Sequence, residues 1–124
     1  MINNNNNFTV NIEQLKNEQI DGISIVYVNG YLDAHTAPIL EEKLEELTKS
    51  GFFKILVNFS ELSYISSAGL GVFMGFIEEC REQGGDIKMC QMQENVYTIF
   101  DLLGFPLLFD IGKDQQSMIL KFEE

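Results

Sequence analysis

The sequence predicts a single α/β domain with a mixed, mostly parallel sheet, an N-terminal hairpin and the element order ββαβαβαβ, closed by either a last α-helix or a strand. Three observations predict it. The chain has 124 residues, the size of one domain with one core. Short segments rich in β-branched residues alternate with segments of helical period, which requires crossover connections and parallel strands. Composition is 45% hydrophobic and 22% charged, which excludes collagen-like, coiled-coil and wholly disordered chains.

The elements follow in order. Residues 1–7 are set apart from the domain at 8–124, because the five asparagines Asn3 to Asn7 cannot bury apolar surface and read as a disordered leader. Phe8-Thr9-Val10-Asn11-Ile12 alternates apolar and polar with period two and reads as a half-buried strand. The polar stretch Lys16 to Gln19 turns the chain, with Asp21-Gly22 sharing in the turn. Ile23-Ser24-Ile25-Val26-Tyr27-Val28 is the second arm of the hairpin, closing at Asn29-Gly30. The period then changes. Ala37, Leu40, Leu44 and Leu47 recur at helical spacing, Thr36 or Asp33 can cap the first amides, Pro38 suits the first turn and Gly51 the stop. Phe53 to Phe59 is a mostly apolar strand, Ser66 to about Gln83 a helix ended by Gly84-Gly85, and Ile87 to Cys90 a strand. Asn95 to Leu103 is a helix stopped at Gly104, and Leu107-Leu108-Phe109 a final short strand set off by Pro106. The tail from Asp114 reads equally as helix or strand.

Charge and cysteine usage narrow the partners. Lys plus Arg is 8 and Asp plus Glu 19, a net charge of −11 that repels phosphate backbones and anionic lipid surfaces, so neither nucleic acid nor a membrane is expected. The longest charge-free stretch, Leu62 to Ile77, carries serines and glycines and falls short of the ~20 residues a membrane span needs. No basic-then-apolar leader opens the chain, so a cytoplasmic location is expected. Cys80 and Cys90, with His35 as the only histidine, cannot complete a zinc site and are expected to be reduced and buried. No metal and no cofactor is expected.

In sheets of this kind the turns leaving the C-terminal strand ends gather on one edge, so the loops Tyr31 to Thr36 and Leu62 to Ser67 should be neighbours. The second joins a buried strand to a helix whose first amides have no intrahelical acceptor, and Ser66 or Ser67 can cap them. Gly69 and Gly71 are expected to let that helix approach the sheet closely. A helix start also tolerates an anion, because its amides and positive dipole end favour a phosphate on a serine oxygen. That phosphate adds about −1.5 to −2 charges and makes a neutral docking patch unfit for its partner. The apolar residues of the helix, Leu70, Val72, Phe73, Met74, Phe76, Ile77 and Cys80, cover roughly 200° against the ~100° a core stripe claims. Leu70, Phe73 and Ile77 should be core, which leaves Met74 on one flank, and Val72 or Phe76 on the other, for solvent or a partner.

The string Leu62-Ser63-Tyr64-Ile65-Ser66-Ser67-Ala68-Gly69-Leu70-Gly71-Val72, preceded by Gly30-Tyr31-Leu32-Asp33-Ala34-His35-Thr36-Ala37 and followed by Gly84-Gly85 and Phe100-Asp101-Leu102-Leu103-Gly104-Phe105, resembles the STAS domain of bacterial anti-sigma factor antagonists. The resemblance covers nearly everything after Phe8. It implies a small non-enzymatic regulator that binds an anti-sigma factor with serine kinase activity, is switched off by phosphorylation at the start of the second helix, and is restored by a serine phosphatase. Carried onto this chain, the phosphorylated residue aligns with Ser67, with Ser66 as second choice. Asp33, His35, Thr36, Ser66, Ala68, Gly69, Leu70 and Met74 are then the expected partner-binding residues. Many relatives carry Asp where this chain has Ser66, and Ser or Thr where it has Ala68. The alternative is an adaptor or scaffold module that is never phosphorylated; a weak homodimer is compatible with either.

Two catalytic readings fit poorly, and no catalytic residue is expected. A serine hydrolase elbow needs glycine two residues before the serine, where Ile65 stands, and the lone His35 precedes Ser67 in the chain. A dinucleotide fingerprint fails at its third glycine, with Met74 in place and Gly75 one position late.

Overall fold

A computed structural model of the chain describes residues 8–16 and 21–123. The expected Asn-rich leader and the turn at Lys16 to Gln19 fall largely outside them. Strand β1 (Phe8–Lys16) pairs antiparallel with β2 (Asp21–Leu32), and β3 (Lys54–Ile65), β4 (Asp86–Cys90) and β5 (Asp110–Gly112) extend the sheet in parallel, in spatial order β1-β2-β3-β4-β5. Helices α1 (Ala37–Lys49), α2 (Ser67–Glu82) and α3 (Glu94–Leu102) form the crossovers, and α4 (Gln115–Lys121) closes the chain.

Period-two alternation divides the apolar residues between two faces. Val26, Val28, Ile55, Val57, Phe59, Ile87 and Met89 meet Leu40, Leu44 and Leu47 of α1, Leu70, Phe73 and Ile77 of α2, and Val96 and Phe100 of α3 in the main core. The intervening Ile23, Ile25, Leu56 and Cys90 meet Met118 and Ile119 of α4 on the opposite face. Phe59 anchors the larger layer, with edge-on contacts to Phe73 at 5.8 Å and Phe100 at 5.4 Å between ring centroids. Both cysteines are free and buried; burial pushes the Cys80 thiol up to about 11 and the Cys90 thiol to about 12.

Three expectations are corrected, and one left open is decided. The chain does not turn at Asn29-Gly30: β2 runs through both to Leu32, with Gly30 at φ +100°, an angle few other residues accept, where the pairing register with β3 shifts. Strand β3 does not stop at Phe59 but continues to Ile65, because the second half of β2 offers it a partner. Leu107 to Phe109 is not a strand. Pro106 favours a tight 3-10 turn at Phe105–Leu107, Leu108 N and Phe109 N donate to Phe105 O, and the strand comes three residues later. The tail is a helix, with the Asp114 carboxylate accepting from Ser117 N at 2.8 Å. Helix α4 is held further by its Lys121, which reaches Asp110 at 3.2 Å; Asp110 is also bonded at 3.2 Å by Lys88, which is 9% exposed and bonds Asp86 at 3.1 Å.

Candidate functional site

The parallel pairing of β2 with β3 places Leu32 opposite Ile65 and Tyr31 opposite Tyr64, so the two strands release their chains side by side. Ser66 N donates to Leu32 O at 2.9 Å and ties the start of α2 to the end of β2. The two loops expected to be neighbours are neighbours.

The first loop is a compact turn organised by Asp33. Its carboxylate Oδ1 accepts from His35 N at 2.9 Å and Thr36 N at 3.1 Å, and its carbonyl accepts from Ala37 N at 2.8 Å. Asp33 therefore satisfies the amides leading into α1. Thr36 occupies the N-cap position without capping; its hydroxyl points inward, donates to Tyr31 O at 2.8 Å and accepts from Asp33 N at 2.9 Å. His35 is left exposed on the rim, and no hydrogen bond joins its ring to either serine among the described residues.

The second loop has contracted to Ser66. This residue has the extended backbone of an N-cap, φ −111° and ψ 170°, yet its side chain caps nothing, and Oγ is buried without a partner. With no acidic residue in the first turn, the positive end of α2 is left without side-chain compensation. Ser67 is exposed, as are Ala68 and Met74. Gly69 is buried: a Cβ there would stand 2.6 Å from Leu32 Cγ, so this glycine brings the helix onto the strand as expected. Gly71 does not, since its Cβ would meet open space.

Accessibility divides the residues of the expected partner surface. Thr36, Gly69 and Leu70 are buried and lie beneath the exposed residues of the site. Leu70, Phe73 and Ile77 are core as expected, and Val72 and Phe76 are half-buried. Sequence reasoning missed Ile39, exposed on α1, and the Tyr31–Tyr64 pair, whose exposed rings lie 5.9 Å apart. The pair depends on the β2–β3 register, for which the sequence carries no local signal. A cleft of about 530 Å³ lined by Met92, Tyr97, Ile111 and Lys113 contains none of the expected site residues. No group of three or more His, Cys, Asp or Glu among the described residues is placed to hold a metal ion.

The family model of the STAS domain matches residues 14–118. The chain belongs to the STAS domain family. An anti-sigma-B factor antagonist of Bacillus subtilis is 32% identical over 108 residues, covering 87% of this chain and 95% of its own length. Among solved structures, an anti-sigma factor antagonist from Mycobacterium paratuberculosis matches this STAS domain with a TM-score of 0.85 at 19% identity, over 99% of this chain and 100% of the other. The antagonist SpoIIAA matches in its unphosphorylated form with a TM-score of 0.74 at 19% identity (90% and 93% of the two chains). The Bacillus cell fate determinant SpoIIAA in its phosphorylated form matches at 0.68 and 17% (94% and 100%). At these identities the structural likeness establishes the STAS fold alone. No helix among the described residues is long and apolar enough to cross a membrane.

Proposed function

We propose that this STAS domain is a non-enzymatic anti-sigma factor antagonist that docks an anti-sigma factor with serine kinase activity through the Asp33 turn and the start of α2, and is released by phosphorylation of Ser67. The observation that carries the reading is the exposure of Ser67 at a helix start with no side-chain cap and no acidic residue in its first turn. A phosphate there meets free amides and the positive dipole end, so the fold tolerates it. The partner does not, because an unpaired charge buried at an interface costs several kcal/mol. The names of the curated relatives and a phosphorylated SpoIIAA support the same reading. Ser66 is the poorer acceptor, since its hydroxyl is buried. Asp33, His35, Ser66, Ala68 and Met74 form or border the docking face, while Thr36, Gly69 and Leu70 hold its shape. A serine phosphatase reverses the switch, and the compartment is the cytoplasm.

The test is the affinity of purified Ser67→Asp and Ser67→Ala variants for the cognate anti-sigma factor, with circular dichroism as the folding control. At ~1.4 kcal/mol per tenfold, the Asp variant is expected to bind at least about a hundredfold more weakly and the Ala variant within about threefold of the parent. A folded Asp variant that still forms a tight complex overturns the switch and leaves the unphosphorylated adaptor in its place.

A further inference from the structure

The turn that links α3 to β5 exposes more apolar surface than a lone domain needs. Leu102 is 78% exposed, Leu107 91%, Leu103 50% and Leu108 43%, four leucines within seven residues. The turn beneath them is braced by packing and a hydrogen bond. Phe105 meets Phe100 edge-on at 5.6 Å and stacks on Phe109 at 5.5 Å between ring centroids, and Arg81 Nη2 of α2 donates to Leu108 O at 2.6 Å. The leucines therefore stand out from a pre-organised base, the condition under which exposed apolar side chains act as interface anchors at low entropic cost.

This turn lies far from Ser67. Strands β3, β4 and β5 are parallel; Ser67 follows the C-terminal end of β3, whereas residues 102–109 precede the N-terminal end of β5. Along α2, at 1.5 Å per residue, Arg81 stands about 20 Å from Ser67.

We propose that the leucine turn is a second docking surface, independent of the Ser67 reading, and that its occupant is an amphipathic helix of another protein whose apolar stripe is flanked by lysine or arginine. Charge decides the occupant. The nearby cations are already paired, Arg81 with Asp86 at 2.9 Å and Lys121 with Asp110 at 3.2 Å; Asp101, which adjoins Leu102 in the chain, and Glu78 and Glu82, which flank Arg81 on α2, are exposed. With a chain charge of −11 behind them, these attract a cationic partner and repel a second copy of this chain.

The probe is a labelled 14-residue peptide with leucines at helical spacing and lysines elsewhere, titrated by fluorescence anisotropy into the full chain. The double variant Leu102→Ser, Leu107→Ser is expected to lose roughly tenfold or more in affinity. A Leu120→Ser control, an exposed leucine on α4, and Ser67→Asp are expected to leave binding unchanged. Replacing the peptide's lysines by glutamates removes binding, and raising salt from about 50 to about 300 mM weakens it. Equal binding to the double variant means the peptide reads net charge alone and overturns the proposal. Sedimentation that shows a parent dimer, broken by the double variant, assigns the surface to a second copy and overturns the cationic occupant.

Discussion

At the scale of single residues, the site is governed by where three short polar side chains turn. Asp33 caps the amides entering α1, Thr36 turns inward to brace that turn, and Ser66 occupies an N-cap position without using its hydroxyl. Capping serines ordinarily contribute about 1 kcal/mol, whereas a buried unpaired hydroxyl is a liability. Ser66→Ala is accordingly expected to leave stability within about 0.5 kcal/mol of the parent or to raise it, measured by urea denaturation; a loss above about 1 kcal/mol means that the hydroxyl caps α2 in solution. The residue types announced a helix start with serine and aspartate nearby, but not which oxygen bonds which amide. That choice depends on a neighbouring strand: Leu32 O has already taken Ser66 N.

At the scale of elements, the crossover helices were legible because α1, α2 and α3 carry strong apolar periods and glycine stops. The lengths of β2 and β3 were not. Each is extended by its partner across a register shift, and an extension that depends on pairing leaves no period of its own in Asn29-Gly30 or Leu62-Ser63-Tyr64. The short α4 escaped for another reason: with seven residues it is too short to show a helical stripe, and it is held as much by charge as by packing. Burial pushes the Asp110 carboxyl up, but hydrogen bonds from Lys121 and Lys88 outweigh it and hold the group below its ordinary range. A carboxyl depressed in the fold stabilises above its unfolded value of about 3.8 and loses that contribution as pH falls through the lower folded value. Asp110→Asn is therefore expected to cost about 1–2 kcal/mol at neutral pH, with a smaller decline than the parent on acidification below about pH 4. Equal acid slopes in the two proteins, read by thermal denaturation, count against the Lys88–Asp110–Lys121 cluster as the clamp on α4.

For the molecule as a whole, the two thiols are expected to contribute to the loss of stability at alkaline pH. Cys80 and Cys90 ionise near 9 when exposed, but only near about 11 and about 12 in the fold. A raised folded value means that their contribution is complete below the unfolded value and is lost as pH rises toward the folded one. Stability is expected to fall from about pH 9 upward, and the double variant Cys80→Ala, Cys90→Ala to be less stable at neutral pH but flatter across pH 9–11. An unchanged slope in melting temperature against pH assigns the alkaline loss elsewhere. The class of sheet was readable from the alternation of strands and helices, and the STAS motifs reinforced it. The exposed leucine turn was not readable, because Leu107 and Leu108 look like core residues until Pro106 has bent the chain and turned them outward.

The bond from Ser66 N to Leu32 O has a last consequence. It joins segments that lie far apart in the chain, and so holds the mouth of α2 against the strand end that leads into the aspartate turn. Under the proposed function, docking and phosphorylation are linked at equilibrium: whatever factor the phosphate takes from the affinity of the partner, the bound partner takes from the equilibrium constant for carrying the phosphate, while its kinase activity sets only the rate.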